Sequence, residues 1–134
     1  MADISLLLDT DVLIDLFRGS PQAAEWFAGH GNSVIGIPVI VWMELLQGAR
    51  DRMEQQRIEQ RLAILPIEHI CADDSRHAAS WFAAYRLSHG VGMLDCLIAA
   101  AALRTAVPIY TFNLSHFAPI PGIDARQPYA RASG

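Results

Sequence analysis

Apolar residues along this chain fall into short blocks separated by polar, Gly- and Pro-bearing joints. Ile4 to Leu8 is a brief apolar run that stops at Asp9. Its length suits a strand buried on both faces of a parallel sheet. Asp11 to Arg18 reads as a helix with Gly19 as its stop. Ser20-Pro21 pairs an N-cap residue with Pro at N1 and predicts a helix to about Ala28. Ser33 to Ile37 predicts a second strand, and Pro38 again fits N1 of a helix ending near Gly48. That helix is apolar on nearly every face, from Val39 through Leu46, and is therefore expected to be buried.

Asp51 to Leu62 is its opposite, a charged helix facing solvent. Ala63 to Ile67 predicts a third strand. Asp73-Asp74-Ser75 opens a helix to about Ser88, closed by Gly90. Met93 to Ala106 predicts another apolar helix and Pro108 to Phe112 a last strand. Asn113 to Gly122 reads as loop, and the polar tail 127–134 as loose. Strands that alternate with helices predict an α/β fold, a mostly parallel sheet covered on both faces. No repeat, linker or low-complexity segment interrupts residues 1–134, which suits a single domain of this length.

Three acids break the apolar pattern. Asp9 ends Leu6-Leu7-Leu8, Glu44 lies inside Trp42-Met43-Glu44-Leu45, and Asp95 lies inside Leu94-Asp95-Cys96-Leu97. An unpaired ionised carboxylate in such surroundings costs several kcal/mol or becomes neutral. Each acid has an ordinary alternative. Asp9 could cap the next helix. Asp95 could answer the dipole of a first turn. Glu44 could pair with an Arg. A shared cation accounts for all three with one cause, and hard oxygen ligands favour Mg²⁺ or Mn²⁺. Ligands of parallel sheets bind beyond the carboxyl ends of the strands, where Asp9 sits.

Thr10, Asp11, Thr111 and His116 are secondary candidates for holding substrate beside these acids. Asp11 reads either as a further metal ligand or as a helix start. Asn113 follows the last strand and could offer an amide oxygen to a metal or orient water; an Asn-stabilised turn is the alternative. Asp15 reads as a solvent-side residue of an amphipathic helix. Arg50, Arg57 and Arg61 share a helical face, with Arg52 nearby; phosphate contact is open to them, but a solvated face paired with Glu54 and Glu59 is the better reading. His30, His69, His77 and His89 have no ligand spacing.

Composition narrows the classes. Net charge is −4 with pI near 5.6, so charge alone does not make the free protein a tight binder of polyanions. All ten basic residues are Arg, and Lys is absent. Cys71 and Cys96 have no metal-binding spacing and read as buried thiols. There is no signal-peptide pattern and no apolar run long enough to span a membrane, so a soluble cytoplasmic protein is expected.

The run Leu6-Leu7-Leu8-Asp9-Thr10-Asp11-Val12-Leu13-Ile14 resembles the opening motif of PIN-domain nucleases. Glu44 and Leu94-Asp95-Cys96-Leu97-Ile98-Ala99-Ala100 resemble their second and third acidic motifs. Tyr110-Thr111-Phe112-Asn113, His116-Phe117 and Pro121-Gly122 resemble the closing segment of VapC-type toxins within that family. The likeness runs from Leu6 to about Pro128. It implies a three-layer α/β/α sandwich and a Mg²⁺- or Mn²⁺-dependent endoribonuclease that blocks translation. It also implies a cognate antitoxin partner, an RNA substrate and a homodimer. Asp9, Glu44 and Asp95 match the family's acids. The chain departs from many relatives at Asn113 and His116, where they carry an acid; the lower negative charge leaves one metal site.

Two rivals remain. Asp9-Thr10-Asp11-Val12 also resembles the nucleophile motif of haloacid dehalogenase-like phosphatases. Those enzymes balance the phosphoryl charge with a Lys, which this chain lacks. A PIN-like module that only docks a partner would not need Mg²⁺-dependent cleavage.

Overall fold

The computed structural model describes residues 3–131. Five short parallel strands form one sheet, β1 (Leu6–Leu8), β2 (Ile35–Pro38), β3 (Ile67–Glu68), β4 (Ile109–Tyr110) and β5 (Ala125–Arg126), in the order β3-β2-β1-β4-β5. Among the described residues, helices α1 (Thr10–Phe17), α2 (Pro21–Gly29), α3 (Val39–Gln47), α4 (Arg52–Leu62), α5 (Ala72–His89), α6 (Met93–Thr105) and α7 (Leu114–Phe117) flank it. This is the α/β/α arrangement that the alternation predicts. No helix of the described residues is long and apolar enough to cross a membrane.

Central β1 is buried at every position, and its three leucines anchor a core shared with Val12, Leu13, Ile37, Val41, Ile98, Ile109 and Phe117. Gly36 lets β2 approach: a Cβ there would lie 2.6 Å from the Ile4 side chain. Ile4 therefore packs over β2 instead of extending β1. Buried Ala99 to Ala102 give α6 a smooth face toward the core. α5 lies along α6, and α3 contacts α1, α4 and α6.

Because all strands run in parallel, their carboxyl ends share one edge. β1 delivers Asp9 there, β2 leads into α3, and β4 leads into α7. α6 returns the chain to the start of β4, so its own N-terminus lies at that same edge.

Several local expectations change. Pro38 is not N1 of α3; its extended backbone (ψ 146°) keeps it in β2 beside Glu68, and it occupies the N-cap position. Residues 63–65 turn, with the Leu65 N–H bonded to Leu62 O, and pairing with β2 begins only where Pro66 O accepts the Ile37 N–H at 3.0 Å, so β3 is shorter and later than expected. Cys71 is exposed, not buried: it is the N-cap residue of α5, and its N–H donates to Asp74 Oδ2 at 3.1 Å. Cys96 is buried as expected. The segment expected as loop contains α7 and is followed by β5. The tail is tied down through residue 131; the expectation for 132–134 lies outside the described residues.

Candidate active site

A cleft of ≈ 470 Å³ opens at the carboxyl edge of the sheet. Asp9, Thr10, Asp11 and Ile14 line it from α1 and its cap, Glu44 from α3, Gly92 to Asp95 from the start of α6, and Asn113 and His116 from α7. The three acids read from the sequence thus meet in one place, joined by Asp11. Among the described residues no Arg lines the cleft, and the chain contains no Lys.

Asp9 is 6% exposed and does two jobs. Its Oδ1 accepts the Thr10 N–H at 2.8 Å as the cap of α1, and its Oδ2 accepts the Thr111 hydroxyl at 2.8 Å. The capping alternative is therefore real, but it does not compensate the charge. Burial pushes the Asp9 carboxyl above its ordinary range, and Asp95 adds to the rise. Asp11, Glu44 and Asp95 are raised as well, each chiefly by burial; Asp9 adds to the rise at Asp11 and Glu44. Four acids that each resist ionisation in one cleft form an electrostatically strained set, the kind of perturbation that marks functional sites.

Asp11 is not the helix start; Asp9 holds the cap. Its Oδ2 accepts the Phe112 N–H at 2.9 Å and the Asn113 side-chain amide at 3.2 Å. Asn113 thus turns its amide nitrogen, not its oxygen, toward the acids, and its backbone N–H donates to Thr111 Oγ1 at 3.0 Å. His116 Nδ1 lies 3.1 Å from Asp95 Oδ2. Gly92 keeps the approach to Asp95 open: a Cβ there would meet Asp95 Oδ2 at 3.3 Å.

Asp11 Oδ1 and Thr10 Oγ1 are buried without a hydrogen-bond partner among the described residues. The Thr10 hydroxyl still acts on Glu44 and favours its ionised form, so Asp11 Oδ1 is the clear orphan; buried polar atoms are nearly always satisfied, and such an oxygen in an acid-lined cleft fits a hard cation. No group of three or more His, Cys, Asp or Glu side chains among the described residues closes to metal-ligand spacing. The donors fit by chemistry and by their unmet bonding.

Arg57 and Arg61 lie on α4 but Arg50 precedes it, so the three do not share one helical face, and none of them lines the cleft. Arg50 pairs with Glu54 at 2.9 Å, Arg57 lies 3.2 Å from Met53 Sδ, and Arg61 stacks 4.1 Å over the Phe17 ring. Asp15 is drawn in rather than solvent-facing: it accepts from Tyr129 and Arg131. No local pattern signals that contact, because its partners lie 114 and 116 residues away along the chain.

Thr111 is fully buried and joins two of the acids' supports. Thr111→Val keeps its shape but leaves Asp9 Oδ2 and the Asn113 N–H without it. The expected loss is about 1–3 kcal/mol of stability, read by urea denaturation; a variant as stable as wild type would remove Thr111 from this network.

A family model described as PIN domain matches residues 6–119. Ribonuclease VapC10 of Mycobacterium tuberculosis is 33% identical over 116 residues, covering 84% of this chain and 85% of that protein. Ribonuclease VapC19 of the same organism is 32% identical over 126 residues, covering 92% and 98%. The solved structure of a toxin–antitoxin complex from Klebsiella pneumoniae superposes with TM-score 0.75 at 30% identity, covering 93% of this chain and 98% of that one. With its acids at the carboxyl edge of a five-stranded parallel sheet and a family match across most of its length, this chain belongs to the PIN domain family.

Proposed function

We propose that this chain is an endoribonuclease, the toxin of a toxin–antitoxin pair, and that it uses Mg²⁺ or Mn²⁺ to cleave RNA. The observation that carries this reading is the cleft of Asp9, Asp11, Glu44 and Asp95, all raised by burial, with no Lys or Arg in its lining among the described residues. The names of VapC10 and VapC19 support ribonuclease activity, and the Klebsiella complex supports an antitoxin partner. The missing Lys disfavours a phosphatase.

Asp9, Glu44 and Asp95, with Asp11 Oδ1, would hold the ion. When bound, such an ion supplies Lewis-acid stabilisation of charge developing on the attacked phosphate. The chain's own residues set the geometry. Thr111 pins Asp9 Oδ2. The Phe112 N–H and the Asn113 amide fix Asp11. His116, with its side chain 52% exposed, steers Asp95 and can give a proton to a departing ribose oxygen.

The same cleft explains the partner. Met93 and Leu94 expose apolar surface on its rim, 65% and 44% exposed. An antitoxin covering this rim and inserting an Arg would neutralise the acids. A homodimer is the assembly we assign to the chain. Expressing the chain alone in a bacterial host tests the toxin reading. Growth arrest with falling protein synthesis is expected, relieved by Asp95→Asn or by co-expression of a cognate antitoxin. Normal growth under strong expression would count against it.

The raised carboxyls also set a pH dependence. Their folded values lie above the ordinary 3.8 of Asp and 4.5 of Glu, so the fold binds these protons more tightly than the unfolded chain does. The stability they contribute is full below those ordinary values and is lost as pH rises through the raised ones. Asp74 is lowered and acts oppositely, losing its contribution only as pH falls below 3.8. Over the interval in which pH falls toward those ordinary values, the cleft's contribution therefore grows. Thermal melts in EDTA are expected to rise over that interval. Mn²⁺ is expected to raise the melt more at pH 7 than at pH 5, because protons compete for the same oxygens. Equal Mn²⁺ effects at both values would contradict this.

A further inference from the structure

We propose that the C-terminal segment 127–131 is a latch that positions Asp11 in the cleft, with Tyr129 and Arg131 as positioning residues. The proposal rests on the ribonuclease reading of that cleft. Its basis is a closed circuit of contacts on one face of α1. Asp11 and Asp15 lie four residues apart, one helical turn, and so share that face. Asp11 is held by the loop after β4, through the Phe112 N–H at 2.9 Å and the Asn113 amide at 3.2 Å. Asp15 is held by the tail: the Tyr129 hydroxyl donates to its Oδ2 at 2.8 Å, and Arg131 donates from Nε and Nη2 at 3.1 and 3.2 Å.

The two halves meet at Phe112. Tyr129 packs edge-on against that ring with centroids 5.1 Å apart, and the Arg131 guanidinium lies 3.8 Å from its centroid. Phe112 is thus gripped by side chains that are themselves fixed to α1, and its N–H cannot leave Asp11 without loosening both. Burial and the neighbouring Asp15 push the Tyr129 hydroxyl well above its ordinary range, which keeps it a donor. The planar guanidinium suits its double task, a forked contact with a carboxylate and a stack on a ring, which an ammonium would not match. Fixing the loop matters because small displacements of groups that hold reacting atoms are costly: about 1 Å can cost roughly 100-fold in rate.

Hydrogen exchange at the Phe112 amide and single-turnover RNA cleavage test the latch together, in wild type, Tyr129→Phe, Arg131→Ala, Arg131→Lys and Asp9→Asn. Arg126→Ala serves as a control: it keeps the carbonyl that pairs with the Thr111 N–H and removes a side chain that pairs with Asp124 and Tyr110 rather than with Asp15. In Tyr129→Phe and Arg131→Ala, the Phe112 amide is expected to exchange about 10-fold faster and the cleavage rate to fall about 10-fold, with little change in KM. Arg131→Lys recovers part of both, and Arg126→Ala changes neither. Unaltered exchange and cleavage in Tyr129→Phe and Arg131→Ala would overturn the latch. So would a raised KM with Phe112 protection intact, which would make Arg131 a phosphate contact instead. If wild type cuts no RNA, or cuts it no faster than Asp9→Asn, the ribonuclease reading fails, and the exchange data still decide whether the tail holds Phe112.

Discussion

Asp9→Asn is expected to slow RNA cleavage by at least about 100-fold while leaving the fold intact. Asn is as good an N-cap residue as Asp, so α1 keeps its start. With the Asn oxygen kept on the Thr10 N–H, its amide nitrogen takes the place of Asp9 Oδ2 and can donate to Thr111 Oγ1, whose hydroxyl turns to Asp11 Oδ2. What disappears is one negative charge, buried at 6% exposure, in the cleft meant to attract a cation. The same change relieves repulsion, because Asp9 helps to raise both Asp11 and Glu44. The variant should therefore melt higher than wild type without metal, by roughly 4 °C for about 1 kcal/mol in a domain of this size. Activity and stability thus move in opposite directions, as expected where a strained site serves function. Single-turnover kinetics and thermal melts in EDTA read the two halves. A variant that cuts at the wild-type rate, or that simply unfolds, would contradict this assignment.

The largest stability effect is expected far from the cleft. Arg104 on α6 joins three elements: its Nε meets Asp74 Oδ1 at 3.0 Å, its Nη1 meets Glu68 Oε1 at 2.9 Å, and its Nη2 donates to the His69 carbonyl at 2.9 Å. Asp74 is fully buried at the start of α5, and Glu68 belongs to the edge strand β3. The Arg104 hydrogen bond holds the Asp74 carboxyl below its ordinary range against the cost of burial. Arg104→Ala strands that carboxylate, and breaking a buried pair by removing one partner costs about 3–5 kcal/mol. Because the Arg104 side chain is 34% exposed, the lower end of that range is expected. The same substitution frees β3, which is only two residues long. Arg104→Lys should recover only part, since lysine's donors radiate from one nitrogen, whereas Arg104 meets its three partners with three separate nitrogens. Urea denaturation measures both, and an Arg104→Ala variant within about 1 kcal/mol of wild type would show that Asp74 finds another partner.

The acids of the cleft were legible because charge inside an apolar run is costly and visible in one dimension. Asp9, Glu44 and Asp95 each break such a run, and parallel α/β architecture brings strand ends and helix starts to one edge. The layer order and most helices followed from the same periodicities, with Ser20-Pro21 and Gly90 marking boundaries where the structure has them. The rest depended on contacts between distant residues. Asp11 was a candidate with two readings, cleft or helix start, and a loop about 100 residues away decides between them. Asp15 looked solvent-facing because Tyr129 and Arg131 sit in a polar tail that only the folded chain brings back. β5 escaped because a two-residue strand carries no alternation to read. Cys71 looked buried from its apolar neighbours, yet it caps α5 at the surface.

The central claim is that the acid cleft binds a divalent cation and with it cleaves RNA. The most direct test is cleavage of total cellular RNA by the purified chain across a Mn²⁺ and Mg²⁺ titration, with EDTA and with Asp9→Asn as controls. The account predicts cuts at defined sites that appear with added metal, saturate, vanish in EDTA and are lost in Asp9→Asn. Cleavage that persists in EDTA, or that Asp9→Asn carries out as fast as wild type, would contradict it.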